Sequence, residues 1–445
     1  MDNKDFKSSH YNIIVKNNDK NSICFNTKLD SFCILPNHLA DILKSDVHEL
    51  AQKFPKPFES LYERGFIIDR DKDEFAELKK EHSEALKSAN TFKLTILPSL
   101  DCNLKCWYCF ENHIAGSHLT KEVADSIRRF VKKLFNDQPD LNHLEVELFG
   151  GEPLLYFKEE LYPLLKDIKD HIDDLGKSVS FFFVTNAVCI TEDIIPLLKE
   201  LNASFQISID GFKDRHDKIK YIPETGEGTY DRMIRTIYSL TENIDNTYIN
   251  LRINYDDETL GHMPELMDDL RNVDRKKIGI HLERVWQTGK GGDNKNDILK
   301  GLINRWMANG FTVSYMNLGR RGYSCKASSE NQAVIACDGA VYKCSGRDFT
   351  ENHRDGTLLS DGTIEWKNEK LKQRLDIVTF ENDMCRECIF LPLCWGPCCQ
   401  KQMEADNGDL SRYCQKRNME LKISDYVLHR VNSAIIRERN FKATE

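Results

Sequence analysis

Leu97-Pro98-Ser99-Leu100-Asp101-Cys102-Asn103-Leu104-Lys105-Cys106-Trp107-Tyr108-Cys109 decides how this chain reads. The apolar run Phe92 to Leu97 predicts a strand, and three thiols follow it at CxxxCxxC spacing. A tight loop at a strand end can direct all three to one point. Three thiolates hold three irons of a [4Fe–4S] cube and leave the fourth iron open, unlike the four-cysteine ligation of an electron-transfer cluster. The alternatives are a zinc loop short of a ligand, which His113 could complete, or thiols that are merely neighbours; zinc ordinarily takes CxxC with a second pair. The aromatic Tyr108 before the last cysteine favours the cluster.

Outward from this loop, strand and helix patterns alternate. Phe92 to Leu97 precedes a helix from Lys121, Leu144 to Leu148 one from Lys158, and Ser180 to Val184 one from Thr191. Ser204 to Ile209 precedes a helix from Tyr230, Tyr248 to Ile253 one from Met263, and Ile278 to Val285 one near Leu299 to Met307. Such repetition predicts an α/β fold, a parallel sheet curled toward a barrel with helices outside. In such folds the site lies at the carboxyl ends of the strands. Two further motifs fall there. Val146-Glu147-Leu148-Phe149-Gly150-Gly151-Glu152-Pro153 closes the second strand, with glycines that let backbone approach a ligand and a carboxylate that can pair with an ammonium. Gln206-Ile207-Ser208-Ile209-Asp210-Gly211 closes the fourth; taken singly, each reads as a turn.

The 445 residues are 40% hydrophobic and 30% charged, with a net charge of −9. That balance fits a cytoplasmic enzyme or a multidomain binder and disfavours broad nucleic-acid binding, which needs an excess of Lys and Arg on one face. No stretch approaches the length of a membrane span or an export signal. The 15 cysteines are the outlying number, and without a secretory signal they point to metal or redox chemistry rather than disulfides. They are sparse before residue 90 and dense from Cys325 to Cys414.

In the N-terminal zone, Tyr11 to Val15 and Ile23 to Phe25 predict a hairpin across the Asn17 to Lys20 turn. Helices follow around Ala40 to Lys44, Val47 to Lys53 and Phe58 to Arg64, Gly65 ends the last of them, and Phe66 to Ile68 reads as a strand. This resembles a small winged-helix module. Asp71 to Ser88 reads as a charged amphipathic linker helix. Cys24, Cys33 and Cys189 sit in apolar contexts and read as buried small hydrophobes. The C-terminal zone has short segments, Asp-Gly turns at Asp338 and Asp361, and cysteines ordered C…GxxxxC…CxxCxxxxxCxxxC…C: Cys325, Gly339 with Cys344, Cys385, Cys388, Cys394, Cys398 and Cys414.

With these residues the chain resembles the radical SAM superfamily, whose signature is CxxxCxΦC with Φ aromatic, filled here by Tyr108. The resemblance implies a partial (β/α)6 barrel that binds a [4Fe–4S] cluster at Cys102, Cys106 and Cys109 and S-adenosylmethionine (SAM) at the open iron. Gly150, Gly151, Glu152 and Pro153 are similar to the family's GGEP motif, whose backbone and Glu receive the methionine amino group. Ser208 and Asp210 are similar to its SxDG strand end, whose Ser contacts the ribose. His216-Asp217 is then followed by Lys220, where relatives commonly carry Arg. Thr185 with Asn186, and Arg252 with Asn254, are weaker candidates to face the nucleoside.

The C-terminal cysteine order resembles the SPASM extension of radical SAM enzymes. That likeness implies two auxiliary [4Fe–4S] clusters and three in all. Cys325, Cys344 and Cys398 would hold the first, with Cys337 as the candidate fourth ligand, Cys399 a poorer one, and an open iron the competing possibility. Cys385, Cys388, Cys394 and Cys414 would hold the second. The family likeness further implies one-electron cleavage of SAM, fed by a donor such as flavodoxin or ferredoxin, to a 5′-deoxyadenosyl radical that abstracts hydrogen from an unactivated C–H.

The N-terminal module looks like the leader-peptide recognition domain of enzymes that mature ribosomally made peptides, in which the leader adds a strand at the hairpin edge, here Tyr11 to Phe25. The expected organisation is 1–90 recognition module and linker, 91–310 barrel, 311–425 SPASM domain and 426–445 terminal helix. The expected function is maturation of a precursor peptide by thioether or carbon–carbon cross-linking. Epimerisation, formylglycine formation in a sulfatase, and a zinc-binding scaffold are the rivals. No acid or base can be chosen among Asp338, Glu283 and Asp256.

Overall fold

The computed structural model describes residues 5–87, 90–261, 263–288, 297–316, 318–319, 321–405 and 408–442. The chain forms two compact units, each assembled from separated stretches: 1–87, 317–328 and 377–432 make the first, and 88–316, 329–376 and 433–445 the second. No helix among the described residues is long and apolar enough to cross a membrane.

In the first unit, β1 (Phe6–Ser8) pairs antiparallel with β5 (Ile67–Asp69). Between them β2 (Asn12–Lys16), β3 (Asn21–Asn26) and β4 (Ser31–Pro36) form an antiparallel sheet, followed by α1 (Asn37–Ser45), α2 (Val47–Lys53) and α3 (Pro55–Glu63). Cys24, Cys33 and Leu35 on one sheet face share a core with Leu39, Leu43, Leu50, Phe58 and Leu61 of the helices. Both cysteines are thus the buried apolar fillers expected of them. Asp46 caps α2 by accepting the N–H groups of His48 and Glu49. Two readings change. The sheet has a third strand, β4, so β3 is central and its residues, Ile23 to Phe25 included, are paired on both sides. The edge expectation narrows to β2. The supposed linker helix, α4 (Glu74–Lys87), is also more than a linker: Leu78 is fully buried and His82 nearly so. Leu78 belongs to a core with Tyr11, Phe380, Cys385, Leu391 and Trp395, and the His82 ring packs on Phe380. High charge on the rest of the helix hides this stripe in the sequence.

The second unit is built on one sheet. Strands β6 (Thr91–Ser99), β7 (His143–Gly150), β8 (Ser178–Thr185), β9 (Ser204–Ile209), β10 (Ile249–Tyr255) and β11 (Ile278–Arg284) lie side by side, parallel and in chain order, as the alternation predicts. Parallel strands covered on both faces read as continuous apolar runs. β7, β9 and β10 alternate instead: in β10, Ile249, Leu251, Ile253 and Tyr255 are buried while Asn250, Arg252 and Asn254 line the other face half-exposed. The apolar face packs under helices, as where Phe183 of β8 meets Phe157 with ring centroids 6.0 Å apart. The polar face is therefore left to contact ligand. Helix α5 (Lys121–Asp137), capped by Thr120, buries Ala124, Ile127, Val131, Leu134 and Phe135 at helical spacing.

The sheet extends beyond the six expected strands. β12 (Thr312–Tyr315) joins β11 in parallel, and β13 (Gln332–Ala336) pairs parallel with β6 at the other side, Gln332 opposite Lys93. β14 (Ala340–Tyr342), β15 (Gly356–Leu358) and β16 (Ile364–Trp366) continue it antiparallel to eleven strands. Short length and turn-rich surroundings conceal these strands in the sequence.

Candidate active site

The cysteine loop leaves β6 and is held from below by the end of β7. Gly151 N donates to Ser99 O at 3.1 Å and Glu152 N to Asp101 O at 2.8 Å. Gly150 takes φ +99°, a left-handed conformation that glycine adopts without strain. The Asp101 carboxylate accepts the N–H groups of Cys102 at 2.8 Å and Gly116 at 2.7 Å, which pins both ends of the loop. The glycine pair therefore serves the loop as well as any ligand.

Glu152 is fully buried, and its carboxylate accepts Thr185 Oγ1 at 2.7 Å, Asn186 N at 2.9 Å and Leu154 N at 3.1 Å. Burial raises its pKa to about 7 against the pull of those donors. Pro153 is buried beside it. Asn186 reaches Asn103 Oδ1 at 2.8 Å and lies 3.9 Å from Cys102 Sγ. Asn103 in turn points its amide at Cys189 Sγ, 3.5 Å away. Cys189 is partly exposed beside the loop rather than a core filler, because it follows β8 in the turn that carries Asn186. Burial and then Glu152 push its thiol up to about 12.

Under the loop lies a buried polar group. Tyr108 donates its hydroxyl to Asp210 Oδ1 at 2.7 Å and accepts Asn254 Nδ2 at 3.1 Å. Lys220 Nζ stands 3.3 Å from Cys106 Sγ and 3.6 Å from Asp210 Oδ2. Burial pulls the Lys220 ammonium down, but Cys106, Tyr108 and Asp210 outweigh it and hold the group well above the ordinary lysine value. Burial also pushes the Cys102 and Cys109 thiols up. His216, unassigned in the sequence, organises the group. Its Nδ1 accepts Asp210 N at 3.3 Å, and its Nε2 lies 3.0 Å from Thr229 Oγ1, whose hydroxyl donates to Lys220 O at 2.8 Å. That pattern fixes the neutral Nε2–H tautomer, and burial, then Lys220, holds its pKa well below 6.5. A buried histidine seven residues past a strand end has no periodic signature.

Ser208 and Arg252 are register partners on the polar face, and Arg252 Nε donates to Asn254 Oδ1 at 3.0 Å. Among the three unchosen carboxylates, Asp256 is engaged by Arg215 at 2.6 Å and Asp338 is exposed in its turn. Glu283 Oε2 lies 3.1 Å from His281 Nε2.

The donor set fits an iron–sulfur cube. Three thiols sit on one loop outside any disulfide, one faces an ammonium, and Glu111 beside them keeps a buried Oε2 with no hydrogen-bond partner. His113 Nε2 is 3.5 Å from Cys109 Sγ. Among the described residues no three His, Cys, Asp or Glu groups close on a single-ion point. A cube makes a different demand, since its thiolates bind separate irons.

Of the C-terminal cysteines, four come together within the first unit. The Cys385, Cys388 and Cys414 thiols are mutual electrostatic neighbours, and all three act on Cys394. Burial raises Cys385 to about 11 and Cys394 to about 12. Asn382 caps the short helix bearing Cys385, accepting its N–H at 3.0 Å. Trp395 and Gly396 both take positive φ, and this left-handed turn leads from Cys394 toward Cys398. Of the other expected set, Cys325 and Cys398 belong to the first unit, and Cys337 and Cys344 to the second. Cys337 is buried at the end of β13 with Leu100 and Ser117 as hydrogen-bond neighbours. Cys399 is buried in the first turn of the helix Cys399–Met403.

Residues 96–270 match the Radical SAM superfamily. The chain is 23% identical over 398 residues to the radical SAM cyclopropyl synthase TigE of Paramaledivibacter caminithermalis, covering 81% of this chain and 78% of that protein. It is 23% identical over 328 residues to a cysteine-type anaerobic sulfatase-maturating enzyme of Clostridium novyi, covering 67% of this chain and 85% of that one. Among solved structures, anSMEcpe with bound AdoMet superposes with TM-score 0.58 at 22% identity, over 78% of this chain and 98% of that one. Streptococcus suis SuiB bound to precursor peptide SuiA does so with TM-score 0.52 at 17% identity, over 92% of this chain and all of that one. With the cysteine loop, the six parallel strands and these likenesses together, residues 96–270 form a radical SAM superfamily domain, and the chain is an enzyme similar to radical SAM relatives named for cyclopropyl synthesis and sulfatase maturation.

Proposed function

We propose that this enzyme matures a ribosomally made precursor peptide, cross-linking it through a thioether or carbon–carbon bond at an abstracted C–H. The observation that carries the reading is the N-terminal module, a three-stranded sheet on three helices, sharing one compact unit with Cys385, Cys388, Cys394 and Cys414. A precursor that carries a leader calls for a leader-reading surface on the enzyme. In keeping with this, among solved structures the likeness to anSMEcpe spans 78% of the chain and that to the precursor-bound SuiB 92%.

In this reading β2 receives the leader. Among the described residues no strand pairs on its outer side, while on β4 Arg64 already donates to the Phe32 carbonyl at 2.8 Å. An added strand would gain main-chain hydrogen bonds there, with side chains supplying specificity. Cys102, Cys106 and Cys109 would hold the SAM-cleaving cluster, and Cys385, Cys388, Cys394 and Cys414 an auxiliary one. When bound, the cluster and SAM supply the 5′-deoxyadenosyl radical. Tyr108, Asp210 and Asn254 brace the loop, Glu152 and Asn186 line its flank, and Ser208 and Arg252 present polar groups to the nucleoside. On the side away from solvent, the buried Glu152, Asp210 and Lys220 keep water from the loop. A flavodoxin or ferredoxin would deliver the electron.

The test is to incubate anaerobically reconstituted enzyme, SAM and reductant with the peptide of a neighbouring short gene and read its mass. Loss of hydrogen with a fragmentation gap at the linked residues is expected. An unchanged mass with an inverted stereocentre would give epimerisation instead, and conversion of a sulfatase peptide alone would give the formylglycine reading.

A further inference from the structure

Lys220 is buried beside the cysteine loop, and its surroundings give that placement a consequence. Its side chain is 5% exposed and that of its partner Asp210 1%. A buried ammonium is retained only where charges and hydrogen bonds replace its water. Lys220 has Asp210 Oδ2 at 3.6 Å, Cys106 Sγ at 3.3 Å and the Tyr108 ring centroid at 5.5 Å. Both members of the pair are fixed through the backbone: Asp210 N on His216, and Lys220 O on Thr229, which His216 also contacts. Asp210 Oδ1 is further held by the Tyr108 hydroxyl. Neither charge can swing to solvent.

We propose that the Lys220–Asp210 pair sets the reduction potential of the cluster at Cys102, Cys106 and Cys109, with Lys220 raising it and Asp210 tempering the rise. This rests on the three-cysteine cluster reading. Reduction adds one electron from an external reductant and breaks no bond. A cation beside a ligand sulfur stabilises the added negative charge, and low local polarity strengthens the effect. Asp210, one contact further away, opposes it. Lysine suits this task because its charge is compact and can sit on one sulfur, where a guanidinium would spread its charge over a planar fork. Lys220 and Asp210 are thus positioning residues for the electron that begins SAM cleavage.

The test is a dithionite titration of the reconstituted full chain, following the paramagnetic signal that changes when SAM is added, with SAM retention measured by equilibrium dialysis. In Lys220→Met the reduced-to-oxidised ratio at fixed potential should fall about tenfold, about 59 mV for a one-electron couple. Asp210→Asn should shift the ratio the opposite way, and Lys220→Arg should recover most of the loss. Unmoved potentials, or shifts of one sign in Lys220→Met and Asp210→Asn, overturn the proposal, as does a Lys220→Met effect confined to SAM retention. Should Lys220→Met load no iron at this loop, the sign of the Asp210→Asn shift decides alone. A wild-type chain without any SAM-responsive signal, whose iron content Cys106→Ala leaves unchanged, refutes the cluster reading itself. A wild-type signal with unmoved variants refutes only the role of the pair.

Discussion

Gly151 lies so close to Asp101 that a Cβ built on it would stand 2.1 Å from the Asp101 carbonyl oxygen. That oxygen already accepts Glu152 N, so the carbonyl cannot turn aside without releasing the loop. Gly151→Ala should therefore displace the cysteine loop at a cost of about 1–3 kcal/mol, as overpacking generally does. Formation of 5′-deoxyadenosine should drop at least about tenfold, a change of about 1.4 kcal/mol in barrier terms. Far-ultraviolet circular dichroism should stay native. Wild-type turnover in this variant would mean that the loop is not seated by the glycine pair.

Cys106→Ala removes the sulfur that faces Lys220 and leaves a buried ammonium with Asp210 and the Tyr108 ring. SAM cleavage should vanish while iron at Cys385, Cys388, Cys394 and Cys414 is retained, because those thiols belong to the other compact unit. Iron and sulfide per chain, beside 5′-deoxyadenosine yield, check this. Loss of all iron at once would show a folding role for Cys106 instead.

Acid should destabilise the protein through its buried histidines. His216 and His429 both have pKa values lowered by burial, His429 to about 4. An unfolded histidine takes up a proton near 6.5, and the folded sites resist it, so their stabilisation is complete above about pH 6.5 and lost as pH falls. His429 alone should account for roughly 3 kcal/mol by pH 4. His429→Gln should flatten the fall in unfolding midpoint between pH 7 and pH 5. An equal fall in that variant would leave His429 without a part in it.

The fold was legible where periodicity was long. β6 to β11 each carry enough alternating residues to be read, and the cysteine loop and the Gly150-Gly151 turn announce themselves by spacing. What escaped has local physical reasons. β13 to β16 include three-residue strands that gain meaning only through pairing with β6 and one another. β4 was hidden because Cys33 and Leu35 alternate with residues that can as well begin α1. His216 and Thr229 act through the backbone of Asp210 and Lys220, a tertiary relation with no sequence period. The Lys220 departure was visible, but its bearing on Cys106 needed coordinates.

Leu78 offers the converse of the Cys106 prediction. It is fully buried on α4 in one core with Tyr11, Phe380, Cys385, Leu391 and Trp395, and Cys388 packs against that core. A helix that merely linked two domains would tolerate alanine there. Leu78→Ala should instead leave a cavity costing about 2–5 kcal/mol. The loosened packing reaches Cys385 and Cys388, so iron bound by that set should fall while SAM cleavage at the Cys102, Cys106 and Cys109 loop continues. The two iron pools are separable by the SAM-responsive signal, which should be unchanged in this variant. Full iron content, or joint loss of both signals, would return α4 to the status of a connector.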